Sequence, residues 1–151
     1  MNKAIASIFG IGYIKGGGTI AAVVTCAALY FLWRLPTFAN PWYLLVITLL
    51  VTLLGVYVGN KVEPYWGKDS YRVVIDEVAG MLVTMLFIPH NSYFLLIGLI
   101  LFRFFDIVKP LYIRNMEAFP GGTGVMMDDV LAGGYANILL QIIVLVSGIF
   151  W

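Results

Sequence analysis

Five carboxylates stand at the margins of apolar runs: Asp76 and Glu77 in VVIDEVAG, Asp106 in FRFFDIVKP, and Asp128 with Asp129 in GVMMDDVLAGG. Ionised side chains beside membrane-type sequence are costly, and where they occur they usually serve function. Acids gathered at one level cannot all stay ionised unless a cation joins them; otherwise some take up protons. Neither the single histidine, His90, nor the single cysteine, Cys26, lies near these segments. An all-oxygen donor set suits Mg²⁺, Mn²⁺ or Ca²⁺ rather than zinc or copper. Asp76, Glu77, Asp106, Asp128 and Asp129 are therefore the expected metal ligands. The competing reading makes them helix caps and ion-pair partners of Arg72, Arg103 and Lys109.

Two further groups suit a phosphate. Arg103, Asp106 and Lys109 recur at three-residue spacing, so one helical face carries two cations flanking an acid. Lys15 precedes Gly16-Gly17-Gly18-Thr19 ahead of an apolar run. Bare backbone N–H groups at a helix start make an anion cradle. The loop is no P-loop, because no Lys-Ser/Thr pair follows at the required spacing. Glycine-rich helix starts are also commonly plain turns.

The elements that must position these groups are apolar. The chain is 62% hydrophobic and 11% charged, against roughly 25% charged residues in soluble domains. So little polar surface points to the bilayer as solvent. A net charge of +1 gives no field for nucleic acid. Lys3 is followed by glycine-punctuated apolar residues without a compact cleavable core, so no removable signal peptide is expected.

Five apolar stretches can be marked: Ile20–Trp33, Trp42–Val58, Val73–Ile88, Tyr93–Phe105 and Val130–Trp151. They lack strand alternation and read as helices. The second and fifth reach the ~17–25 residues of a spanning helix, and the others are shorter. The expected architecture is all-α: a polytopic membrane helix bundle of about five membrane helices with an N-terminal re-entrant or capping loop. Residues 1–151 form one domain. Threading five spans in order puts eight of the nine basic residues on one side, with Arg34 alone opposite. The positive-inside rule makes that side cytoplasmic. Tyr30, Trp33, Trp42, Tyr43, Tyr93, Phe150 and Trp151 would form an outer aromatic belt.

A hairpin turning near Asn91 would set Asp76 and Asp106 each about 22 Å from the turn, facing each other. Asp128 and Asp129 would open the fifth helix at a similar depth, near the positive end of its dipole. Gly80, Ala132 and Gly133 lie on the acidic faces and are small enough for close helix approach.

These motifs resemble the phosphatidylglycerophosphatase A family, most strongly in residues 74–80, 102–110 and 121–133. With Gly10–Thr19 the likeness runs from end to end of the chain. Near the N-terminus, Gly18 and Thr19 match the family pattern, whereas its two prolines and Gly-Ser pair are replaced. The resemblance implies Mg²⁺-dependent hydrolysis of phosphatidylglycerophosphate to phosphatidylglycerol, in phospholipid biosynthesis at a bacterial inner membrane.

The expected chemistry is metal-assisted phosphomonoester hydrolysis facing the cytoplasm. Asp76, Asp106 and Asp129 are the expected catalytic acids. Lys15, Gly18, Thr19, Arg103 and Lys109 would bind the phosphate of a phospholipid substrate. Attack by water and an aspartyl-phosphate intermediate both remain open. Tyr65, Trp66 or Tyr112 are the aromatics nearest a headgroup path, though interfacial anchoring accounts for them too. Alternatives are a phosphatase of phosphatidic acid or polyprenyl phosphate, an intramembrane aspartyl protease, and a cation transporter. A protease would need no metal, and a transporter would want acids near the midplane with a path to both faces.

Overall fold

The computed structural model describes residues 1–68, 70–110, 112–116 and 118–148. Seven helices occur among them: α1 (Asn2–Ala6), α2 (Gly17–Leu32), α3 (Pro41–Trp66), α4 (Ile75–Thr84), α5 (Ser92–Val108), α6 (Ile113–Met116) and α7 (Gly121–Ser147). Short 3-10 turns lie at Ile11–Tyr13 and Pro36–Ala39. No strand occurs among the described residues, so the all-α expectation is met.

The five-span bundle is not. Among the described residues only α3 and α7, at 26 and 27 residues, are long and apolar enough to cross a membrane. Their most apolar stretches are only 28% buried inside the protein, unlike the core helices of soluble proteins. Outward residues such as Leu49, Leu50, Leu53, Leu145 and Val146 are more than half exposed. Exposed apolar surface on this scale marks an interaction site, and with two helices of spanning length it suggests a membrane protein.

The remaining apolar helices are too short. At 1.5 Å per residue, α2 and α5 extend about 25 Å and α4 about 15 Å, against a hydrocarbon core of about 30 Å. The third apolar stretch breaks after Thr84, where Phe87 takes a left-handed φ of 57° and Pro89 follows. A hydrophobic run alone did not reveal that break. The expected belt residues Phe150 and Trp151 lie outside the described residues.

The short α4 is the buried centre of the bundle. Ala79, Gly80, Met81, Leu82 and Thr84 are all buried. Its carbonyl end is met by two amides on α7. Asn137 Nδ2 donates to Thr84 O (2.9 Å) and Leu86 O (2.8 Å), and Gln141 Nε2 donates to Leu86 O (3.3 Å) and Phe87 O (3.2 Å). These bonds satisfy carbonyls that a broken helix leaves open in an apolar interior.

Small residues let α7 approach its neighbours. A Cβ on Gly59 of α3 would lie 2.8 Å from Gly122 Cα. One on Gly80 of α4 would meet the Phe102 ring and stand 2.8 Å from Asp129 O, and one on Gly133 would collide with Gly80 O. The N-terminal segment packs at the same end of the bundle. Val74 N donates to Ala6 O (2.9 Å), and Gly12 lies against the Arg72 carbonyl with no room for a side chain.

Candidate active site

The acids arrive from three helices. Asp76 and Glu77 occupy the first turn of α4, where a helix dipole favours negative charge. Asp106 lies in the last turn of α5. Asp128 and Asp129 sit well inside α7, which begins at Gly121 with no acid in its first turn. The dipole argument thus applies to Asp76 and Glu77, not to the pair expected to open the last helix.

One oxygen from each of Glu77, Asp106 and Asp129 falls within 4.8 Å of the other two. Asp128 turns to α5, where Lys109 Nζ donates to its Oδ2 at 2.6 Å. Lys109 ends α5 in a left-handed conformation, φ 46° and ψ 55°, which redirects the chain ahead of Pro110. Asp76 lines the same cavity, and its Oδ1 accepts from the Glu77 backbone N–H at 2.9 Å. Arg103 NH1 pairs with both Glu77 and Asp106, the second at 2.7 Å. Arg103 and Lys109 are therefore engaged with acids rather than held in reserve for phosphate.

Five carboxylates thus share a cavity with two cations already paired to them. Burial, with repulsion from Glu77, Asp128 and Asp106, holds the Asp76 carboxyl well above the usual carboxylate range. Burial and the Asp106 charge push Glu77 up to about 7, although Arg103 opposes the shift. Crowded carboxylates of this kind accept a hard divalent cation readily. The donor set is all oxygen, so the residues present fit Mg²⁺.

The cavity has a volume of about 610 Å³, within the ~300–1,000 Å³ typical of small-molecule sites. Besides the five acids, Arg103 and Lys109, its walls include Lys15, Gly16, Gly17, Gly18 and Thr19. Every residue singled out from the sequence as a ligand, catalytic acid or phosphate binder therefore borders one space. Gly16 caps α2 with φ 78°. Gly18 presses against Glu77, and a Cβ there would overlap the carboxylate.

Sequence reasoning missed the remaining walls: Tyr13, Ile14, Ser70, Tyr71, Val73 and Val74. Their position next to the glycine-rich segment and just ahead of Asp76 is the signal that could have found them. Tyr65, Trp66 and Tyr112 do not border the cavity. Lys3 stacks over Tyr65 instead, and Trp66 packs edge-on against Tyr13 at 5.9 Å. His90 stacks on Trp33, ring centroids 4.7 Å apart, away from the acids.

Comparison with known proteins gives the family. The family model described as phosphatidylglycerophosphatase A matches residues 4–144. A Bacteroides thetaiotaomicron protein provisionally named a phosphatidylinositol-3-phosphatase is 45% identical over 83% of this chain and 79% of its own length. Proteins named phosphatidylglycerophosphatase A from Haemophilus influenzae and Escherichia coli are 41% and 36% identical over 64% and 71% of this chain. Those matches span 61% and 63% of the two proteins, less than two thirds of their length. No solved structure matches the chain. With its three acidic segments joined in one cavity and the family model matched from residue 4 to residue 144, this chain belongs to the phosphatidylglycerophosphatase A family.

Proposed function

We propose that the protein hydrolyses the terminal phosphomonoester of phosphatidylglycerophosphate, giving phosphatidylglycerol and phosphate. The observation that carries this reading is the convergence of Glu77, Asp106 and Asp129 oxygens within 4.8 Å, inside a cavity also walled by Lys15 and the start of α2. Family membership supplies the lipid class, and the names of the two phosphatidylglycerophosphatases supply the substrate.

In this reading Glu77, Asp106 and Asp129 would hold Mg²⁺, with Asp76 and Asp128 completing the acidic wall. Bound there, the metal would supply charge neutralisation and a lowered pKa for attacking water. Arg103 fixes the Glu77 and Asp106 carboxylates relative to one another. Lys109 does the same for Asp128 while staying on the cavity wall. Lys15 and the Gly18 and Thr19 backbone N–H groups face the phosphate as an anion cradle. Asp76 has no cationic partner among the described residues and in this reading would take the proton from attacking water. The catalytic set is then Asp76, Asp106 and Asp129.

The location follows the same reading. The protein sits in a bacterial inner membrane as a multi-pass protein, with α3 and α7 crossing in opposite directions and the acidic cavity at the cytoplasmic face. Lys3, Lys15, Lys61, Lys68, Arg72 and Arg114 lie near the cavity end, whereas Arg34 pairs with Tyr30 beyond the other end of α2. That asymmetry supports the orientation.

A second reading has a specific basis. The Bacteroides relative is named for a phosphoinositide, and the N-terminal glycine segment departs from the family pattern. The same acids would serve a monoester on inositol.

Phosphate release from defined lipids in detergent micelles, with Mg²⁺ and with excess chelator, tests both. Phosphatidylglycerophosphate should be turned over fastest, phosphatidic acid slowly, and chelation should stop both. Faster hydrolysis of phosphatidylinositol 3-phosphate would transfer the activity to the second reading. Undiminished turnover under chelation would remove the metal from it.

A further inference from the structure

The N-terminal turn holds a phenylalanine in the open. Ile8, Phe9 and Gly10 take left-handed φ values of 46°, 53° and 104° in succession. Glycine adopts that region freely, whereas a β-branched residue there is an outlier. The turn is nevertheless well held. Ser7 is buried, its Oγ accepts from Gly10 N–H at 3.1 Å, and its carbonyl accepts from Gly12 N–H at 3.0 Å. Phe9 N–H donates to Ala4 O at 2.7 Å. Ile8 thereby packs against the cluster of Ala6, Val58, Val62 and Met126, while Phe9 is left 88% exposed. Strain held this firmly points to a task, and water is a poor solvent for the ring that the turn displays.

The turn adjoins the membrane-facing side of α3. Leu50, Leu54, Tyr57, Lys61 and Tyr65 recur there at helical spacing, all of them exposed. Lys61 lies over the Tyr57 ring at 5.8 Å, and Lys3 of α1 over that of Tyr65 at 4.6 Å. The stripe passes from leucine to tyrosine and lysine, the order found where a helix leaves the hydrocarbon for the headgroups. Lys3 and Phe9 also share an open cavity of about 350 Å³, whose other walls are Ala4, Ser7, Gly10 and Tyr13. No acid lines it, and no carboxylate pairs with Lys3 among the described residues. Glu63 is the first acid in the chain, after Lys3, Lys15 and Lys61.

We infer that the N-terminal turn is a membrane anchor, with the Phe9 ring among the acyl chains of an anionic leaflet and Lys3 at its phosphates. The inference rests on the reading of α3 and α7 as membrane helices, not on the reaction. The pair defines its partner. An exposed aromatic ring is stabilised by hydrocarbon, and an ammonium group without a carboxylate by an anion. A leaflet containing acidic phospholipid offers both side by side. The anchor is joined to the acidic cavity. Tyr13 borders both spaces, Gly12 abuts the Arg72 carbonyl, and Ala6 O accepts from Val74 N–H, two residues before Asp76. Seating the turn in the leaflet therefore holds the cavity mouth at headgroup height.

The test places a nitroxide label at Phe9→Cys in the full-length chain carrying Cys26→Ala, or Cys26→Ser should that background fail to fold. The protein is held in vesicles of phosphatidylcholine, alone or mixed equally with phosphatidylserine. Two further labels calibrate depth: Leu50→Cys on the membrane-facing side of α3, and Lys68→Cys in the exposed turn beyond it. In mixed vesicles the Phe9 label should match the Leu50 label, relaxed more by dissolved oxygen than by a water-soluble nickel chelate. Lys3→Gln should lower the ratio of lipid-seated to water-exposed Phe9 label about fivefold there, the effect of one lysine at an anionic surface. In phosphatidylcholine alone it should change that ratio little. A Phe9 label as open to nickel as the Lys68 label, with Leu50 in lipid, would overturn the anchor and leave the membrane helices standing. A Leu50 label open to nickel would overturn the membrane reading and the anchor with it. An equal effect of Lys3→Gln in both vesicles, or none in either, would overturn the anionic partner.

Discussion

Gly18, in the first turn of α2, faces the Glu77 carboxylate so closely that no Cβ fits between them. The contact couples the glycine-rich segment to the acid cluster. Glu77 is the flexible partner, so a methyl group at position 18 would displace its carboxylate rather than break the helix. Gly18→Ala should therefore leave thermal stability within about 1 kcal/mol of wild type. Mg²⁺ affinity and turnover should both fall at least tenfold. Titration of Mn²⁺ or Mg²⁺ against the purified variant checks this, and normal metal affinity would show that the glycine only makes a turn.

Asp106 joins α5 to the cluster through Arg103 and through its own oxygen near Glu77 and Asp129. Asp106→Asn keeps the size and removes the charge. Turnover should fall about 100-fold or more, while circular dichroism and melting temperature change little. Near-normal activity in the Asp106→Asn variant would remove Asp106 from the mechanism.

The sequence carried the site further than it carried the fold. Charged residues inside apolar runs are expensive enough to mark themselves, so Asp76, Glu77, Asp106, Asp128 and Asp129 were legible without any structure. Hydrophobicity measures how apolar a stretch is, but not where its helix stops. The left-handed Phe87 and the Asn137 and Gln141 bonds that let α4 end early depend on α7, more than fifty residues away. The same holds for Arg103 and Lys109. Their spacing marked a charged face, but only the packing of α5 on α4 and α7 shows that the face meets acids.

Asn137 is the main donor to the open end of α4, with bonds of 2.9 and 2.8 Å to Thr84 and Leu86. Asn137→Leu would leave carbonyls without partners in an apolar interior. A loss of about 1–3 kcal/mol is expected, read as a lower unfolding midpoint in mild detergent. A midpoint equal to wild type would show that water or Gln141 takes over the bond.

Lys109 and Asp128 form a pair of which Asp128 is 4% exposed. Removing only the cation takes this partner from a buried carboxylate, so Lys109→Ala should cost about 3 kcal/mol of stability. Asp128→Asn added to Lys109→Ala should restore much of the stability but not the activity. If the double variant is no more stable than the single, the pair is not what holds α5 to α7.

The acid cluster also fixes how stability should vary with pH when no metal is bound. Glu77 is raised from 4.5 to about 7, chiefly by burial and then by Asp106, and Asp76 is raised as well. A raised carboxyl binds its proton more tightly in the folded state than in the unfolded chain. Between the two values the native protein holds more protons, so stability falls as pH rises from about 4.5 to about 7. Metal-free protein should thus melt at a lower temperature at pH 7.5 than at pH 5. If the proposed metal reading holds, Mg²⁺ should reverse the order, because binding to the ionised cluster would contribute about 2.7 kcal/mol at a hundredfold excess over its dissociation constant. Melting curves at the two pH values, with chelator and with Mg²⁺, check the sign directly. A melting temperature that rises with pH in chelator would mean that Arg103 and Lys109 already neutralise the acids. The cluster would then have no deficit of positive charge for a metal to fill.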